Sequence, residues 1–159
     1  MPGLFFSPPP WQGHPMNTPA TRFIAHTAAH MDAVFRVASE VGRMLHLISA
    51  EGAGAQMGAG VFLAMAEAAQ TRYPDAKVLI TLDCADDTAM ALNALRHGAP
   101  LVRIHGLAEE ALVRLQSLAA ETGATLETAA NIAPPTVDLL DAPDPFTRVM
   151  TEIEAQIEA

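Results

Sequence analysis

The sequence predicts an α/β domain: an open, mainly parallel sheet of four or five strands with flanking helices. The expected arrangement is Rossmann-like or flavodoxin-like and three-layered, with part of a β/α-barrel as the alternative. Three observations carry this. The apolar run 45–50 breaks into a turn holding Gly52, Gly54, Gly58 and Gly60, which opens into a helical run at 61–72. Residues 77–83 are apolar on both alternating faces, as in a strand covered on both sides. Lys77, Pro100 and Ala124 open successive units of 23 and 24 residues, each a strand then a helix, and crossovers of this kind join parallel strands right-handedly.

The elements follow in order. Residues 1–20 hold Pro2, Pro8, Pro9, Pro10, Pro15 and Pro19 with Trp11 among them, which excludes regular helix and predicts an extended arm. A single α/β domain is expected over 21–159. The run 22–26 reads as an edge strand, after which Thr27 caps a helix with Met31, Val34, Phe35, Ala38 and Val41 on one stripe and Gly42 as its stop. The helix from Val61 ends near Tyr73, because the residue before Pro74 is pushed out of the helical region. Asp86 or Asp87 caps the next helix, which runs to Gly98; a strand at 101–105 and a helix at 107–122 follow, and a short strand at 125–128 closes the series. Arg103 and Glu127 lie inside the last two strands, which predicts one less buried face on each and a sheet edge near 125–128. Residues 131–145, with four prolines, read as a loop. Asp144 and Pro145 then open an amphipathic helix over 145–158 with Phe146, Val149, Met150, Ile153 and Ile157 at helical spacing.

Composition excludes several classes of function. Lys and Arg total 9 against 18 Asp and Glu, a net charge of −9, and the basic residues are dispersed. That is no footprint for nucleic acid or an anionic membrane surface. No stretch approaches the roughly 20 apolar residues of a membrane span. The N-terminus lacks the basic and unbroken apolar regions of a signal peptide, and one cysteine, Cys84, forms no internal disulfide. A cytoplasmic protein is expected.

In parallel sheets ligands sit beyond the carboxyl ends of the strands. Those ends offer Ser49 and Glu51 beside the glycine turn, then Asp83, Cys84, Asp86 and Asp87, then His105, then Glu127 and Asn131. Asp83, Cys84 and His105 are the candidate catalytic residues: a carboxylate, a thiol near a helix start, and an imidazole to act as base. Gly52, Gly54, Gly58 and Gly60 are the candidate binding residues, their bare N–H groups facing a small molecule or anion at the start of the following helix. No metal site is assigned. Helix capping accounts for Asp86 or Asp87, and His26 and His30, four residues apart, lack the glutamate of the zinc-protease pattern. Lys77, the sole lysine, stands at the amino end of its strand, which disfavours a Schiff-base mechanism.

The segment from Gly54 through Gly58 to Gly60 resembles the Gly-x-x-x-Gly-x-Gly turn of short-chain dehydrogenases, with Asp83 where a ribose-binding acid would lie. The resemblance implies a dinucleotide and covers about 40 residues. The family's Tyr-x-x-x-Lys pair is missing: Tyr73 is the one tyrosine and no lysine follows it in register. The phosphate-loop ending Gly-Lys-Ser/Thr is absent too. The cofactor is therefore left unknown.

Two functions follow. The first is a small-molecule-binding enzyme or sensor with its site at the glycine turn, Asp83 and His105. The second is a non-catalytic subunit of a homo-oligomer or larger assembly, docking through the arm and the final helix.

Overall fold

The computed structural model describes residues 21–129 and 136–159; the Pro-rich arm, Asn131 and Pro134 to Pro135 lie outside that range. The elements are β1 (Arg22–Ala25), α1 (Ala28–Val41), β2 (Met44–Ser49), α2 (Ala53–Met57), α3 (Ala59–Arg72), β3 (Lys77–Asp83), α4 (Thr88–Arg96), β4 (Leu101–Arg103), α5 (Glu109–Thr122), β5 (Thr125–Glu127), β6 (Thr136–Asp138) and α6 (Pro145–Glu158). The expected helix signals act as written. Thr27 accepts the His30 N–H at 3.2 Å, and Gly42 ends α1 in the left-handed conformation at φ 65°. Asp87, rather than Asp86, caps α4 by accepting from the Met90 N–H, and Asp144 with Pro145 opens α6.

The parallel α/β sheet forms, with six strands rather than four or five, in the order β5-β4-β3-β2-β1-β6. All five pairings are parallel. The extra strand is β6, three residues inside the segment expected to be a loop; it is too short for a periodicity to register between flanking prolines. It pairs with β1, which is therefore an interior strand and not the expected edge. β5 is an edge, as expected, and β2 and β3 are central.

From β1 to β5 each strand is laid beside its predecessor with no reversal of direction. Right-handed crossovers then put every connecting helix on one face. The helices pack accordingly as a continuous row, α6 on α1, α1 on α3, α3 on α4 and α4 on α5. Alternate strand residues meet this row: Phe23, Leu45, Leu47, Val78, Ile80, Leu82, Val102 and Ile104 join Phe35, Phe62, Ala66, Leu95 and Leu115 in one buried cluster. Each large side chain sealed there contributes roughly 1.5–3 kcal/mol.

The other strand face turns inward on itself. Arg22 of β1 and Glu127 of β5 touch at 2.7 Å with three strands between them. Neighbouring strands are about 4.8 Å apart, so a flat sheet would hold these backbones roughly 19 Å from each other. The register gives the geometry of the curl. Arg22 pairs His46, His46 pairs Leu79, Thr81 pairs Leu101 and Leu101 pairs Thr125. Gly123 is thus level with Arg22 along the ladder, and Glu127 lies four residues further on, one for each strand step. An eight-stranded β/α-barrel with a shear of eight has this stagger, and its inward side chains form layers drawn from alternate strands. Arg22, Thr81 and Glu127, from β1, β3 and β5, occupy such a layer. The expected parallel α/β sheet with flanking helices is therefore present, and the Arg22–Glu127 contact shows that it curls.

Candidate functional site

The curl gathers a line of alternating charge on the inner face at the carboxyl end of the sheet. Asp83, Arg103 and Glu127 are laterally paired on β3, β4 and β5, and Arg22 closes on Glu127 from across the arc. Arg103 Nη1 donates to Asp83 Oδ2 at 3.2 Å, Arg103 Nη2 donates to the Ala129 carbonyl at 3.0 Å, and Arg22 Nη1 donates to both Glu127 oxygens at 2.7 Å. The Arg103 and Asp83 side chains are 3% and 1% exposed. Burying such a pair costs desolvation energy that only good geometry and further hydrogen bonds offset. The further bonds are present: Asp83 Oδ1 accepts the Ala85 N–H at 2.8 Å, and Ser49 Oγ accepts the Asp83 N–H at 2.8 Å.

These contacts shape the loops beyond the strands. Ala85 is held at φ 52°, the one non-glycine residue with positive φ among those described, and its carbonyl accepts the His105 N–H at 2.9 Å. A left-handed alanine carries a steric cost, so the turn after β3 is imposed by its surroundings. His105 lies just past β4, a quarter exposed, and its Nε2 stands 3.8 Å from Glu51 Oε1 on the turn after β2. Deeper on the inner face, His46 Nε2 and Thr81 Oγ1 are 2.7 Å apart. Burial, with the nearby Arg22 charge, brings the His46 pKa down to about 4, so this imidazole is neutral and acts as a hydrogen-bonding strut.

Of the residues the sequence singled out, Asp83 and His105 come to the same edge of the sheet, Asp83 as the last residue of β3 and His105 two residues past the neighbouring β4. Asp83 is enclosed, both carboxylate oxygens being bound within the protein; His105 is the accessible one. Cys84 points to the opposite face, where it is 1% exposed in the cluster beneath the helices. Burial, then the Asp83 and Asp87 charges, push its thiol up to about 12. Such a thiol lacks the thiolate character of a nucleophile, and its alternation with Asp83 keeps it from His105. The glycines do not form one continuous cradle. Gly52 is left-handed, at φ 65° beside Ala85; Gly54 lies within α2; Gly58, at φ 83° and ψ 145°, is the N-cap of α3 with no side-chain cap bond; and Gly60 packs within α3, where an added Cβ would meet the His97 ring at 3.3 Å.

Sequence reasoning missed the Arg22–Glu127 and Arg103–Asp83 pairs. It read Arg103 as marking a less buried face, whereas Arg103 is 2% exposed. The signal was available as opposite charges at inward strand positions: Asp83 and Arg103 on the adjacent strands β3 and β4, which needed the strand order, and Arg22 and Glu127 on β1 and β5, which needed the curl of the sheet as well. Among the described residues no three or more His, Cys, Asp or Glu side chains group so as to hold a metal ion, and no helix is long and apolar enough to cross a membrane.

No protein-family model and no curated protein matches the chain. Among solved structures, the YdjI aldolase from Escherichia coli K12 is similar, with a TM-score of 0.55 and 16% identity, over 73% of this chain and 47% of that one. The likeness is one of fold. The chain spans about half the length of that structure's chain.

Proposed function

We propose that the protein binds a small polar molecule at the carboxyl edge of the arc, between His105, Glu51 and the start of α3. The observation that carries this reading is the buried Asp83–Arg103 pair. Barrel interiors are ordinarily filled by branched aliphatic side chains, and an ion pair in their place is a poor source of stability. Here it braces the turn after β3, whose Ala85 carbonyl holds the His105 N–H, and the segment after β5 through the Ala129 carbonyl. In this reading Asp83 positions the site and His105 with Glu51 meets the ligand. Two further features support it. The first turn of α3 carries no acidic residue and no side-chain cap, an arrangement that suits an anionic group on the ligand. The fold likeness to a protein described as an aldolase makes small hydroxy-carbonyl compounds and their phosphates the first ligands to try.

A thermal-shift screen of phosphate, carboxylates, sugar phosphates and small hydroxy-carbonyl compounds tests the reading, with His105→Ala and Glu51→Gln as controls. At a hundredfold excess over Kd a ligand stabilises by about 2.7 kcal/mol, or roughly 5–10 °C in a chain of this size. The shift should be present in the parent and reduced in both variants; no shift with any compound removes the reading.

A second reading, an assembly subunit, is favoured by one feature: β5 and β6 are each paired on one side only among the described residues, and open edges invite pairing with another chain. The final helix offers less, since Val149 and Ile153 are buried and α6 packs on this chain's own α1. A monomer in light scattering coupled to size exclusion, at concentrations up to about 100 μM, excludes this reading; that range covers weak association.

A further inference from the structure

We propose that His30 is an acid-sensitive pin at the carboxyl end of β1: with a bare Nδ1 it fastens the chain at His26 and, through it, β6, and on protonation it lets both go. The geometry fixes the working state of the ring. His30 Nδ1 lies 3.1 Å from the His26 backbone nitrogen, and a backbone N–H can only donate, so Nδ1 is the acceptor and carries no proton. The bond spans the turn between β1 and α1, where Thr27 caps the helix by accepting the His30 N–H at 3.2 Å. His26, held by its backbone in this way, reaches β6 with its side chain. Its Nε2 stands 2.6 Å from Asp138 Oδ1, and Asp138 is oriented by accepting the Leu140 N–H at 2.9 Å. Beside it the Leu139 N–H donates to the Ile24 carbonyl at 3.2 Å. One imidazole nitrogen thus underlies the contacts that fasten the end of β6 to β1, whose shared ladder is three pairs long.

A proton on Nδ1 reverses that contact, setting one N–H against another. Most of the surroundings oppose a charge there. His30 is 7% exposed and is the third residue of α1, where the helix dipole presents its positive end. The ring of His26 stands edge-on, its centroid 5.9 Å away. Burial first, and then the charge of His26, hold the His30 pKa below its ordinary value of 6.5, with the Asp138 carboxylate acting in the opposite direction. Asp32, on the same helix, is engaged by Arg72 and Tyr73 at the end of α3. A protonated ring is therefore more stable in water than in place. The tie to His26 is complete above pH 6.5 and is lost as pH falls through the lowered folded-state value.

The test follows the amide signals of the full chain by 15N NMR from about pH 7.5 to about pH 5 in the parent, His30→Asn and His26→Gln. Asparagine keeps an acceptor oxygen near the place of Nδ1 and takes up no proton; glutamine at position 26 removes that ring's own titration and leaves the backbone N–H. The position-26 amide should titrate in the parent and in His26→Gln, and stay still in His30→Asn. Exchange protection of the Leu139 amide, corrected for the intrinsic rate, should fall by about threefold or more over this range in the parent and hold in His30→Asn. The β3 amides of Ile80 and Leu82 report that each variant is folded. A position-26 titration that survives His30→Asn, or that vanishes in His26→Gln, overturns the pin; a Leu139 amide equally protected at both ends of the range overturns its hold on β6.

Discussion

The Arg22 guanidinium and the Glu127 carboxylate meet at 2.7 Å across the inside of the sheet, although β2, β3 and β4 separate their strands. The contact makes curvature a measurable property of two side chains. Both are less than one-fifth exposed, so their coupling exceeds that of a surface pair, which is worth about 0–1 kcal/mol.

Arg22→Met and Glu127→Gln should each lower stability by about 1–3 kcal/mol, and the double variant by less than the sum. Urea unfolding of all four proteins gives the coupling free energy, expected above about 1 kcal/mol. A coupling near zero contradicts the curled sheet.

His46 predicts a pH dependence. Its folded-state pKa lies below its unfolded value of 6.5, at about 4, so between these pH values the unfolded chain binds the extra proton. Stability from this group is complete above pH 6.5 and is lost as pH falls toward 4, by roughly 3 kcal/mol in all. Urea midpoints at several pH values should show His46→Gln losing less stability than the parent over that window.

Cys84 should resist thiol reagents in the native protein. Labelling at pH 8 is expected to run at the rate of unfolding, and to become immediate in denaturant, because the thiol is buried with its pKa pushed up to about 12. Cys84→Ala should fold and lose about 1 kcal/mol, the worth of the small apolar group removed. Fast native labelling overturns the burial of this side chain.

Gly58 and Gly60 should differ although two residues apart. Gly58 has φ 83° and ψ 145°, a conformation nearly confined to glycine, so Gly58→Ala costs about 1–3 kcal/mol even though nothing lies within 4 Å of the new methyl. Gly60 is helical, and its methyl would meet only the end of the His97 ring, so the helix propensity gained, about 1 kcal/mol, leaves Gly60→Ala near the parent. Thermal midpoints of the two variants decide it.

Ala85→Gly should stabilise by up to about 1 kcal/mol, since glycine adopts the left-handed conformation of φ 52° without the methyl's clash. A lower midpoint shows that the alanine methyl is held by contacts worth more than the strain.

Local signals in the sequence carried far into this structure. Thr27, Gly42, Asp87, Asp144 and Pro145 mark helix ends because capping is chemistry between neighbours. The doubly apolar run of β3 marks a buried strand for a similar reason. What resisted reading depends on distance along the chain. An arginine in a strand reads as a solvent-facing position until Glu127 and Asp83 are placed beside it, and β6 offers too few residues to outweigh its prolines. His26 and His30 stood out by spacing alone, but Asp138, which gives His26 its orientation, lies 112 residues away. For the candidate site, the sequence named Asp83 and His105 from the rule that strand ends gather ligands; it had no means of telling that Cys84 faces away, since that depends on which of two alternating faces the helices cover.

The strand order also sets a timetable. Each pairing from β1–β2 through β4–β5 joins segments that follow one another in the chain, so a chain leaving the ribosome can zip these strands together as they emerge, by closures of low contact order. The β1–β6 pairing is different: it joins Arg22 to Thr136, and α6 locks onto α1 only after that. β6 and α6 act as a late clasp on a body already assembled, and amide exchange under native conditions should find them opening before β2 and β3 do.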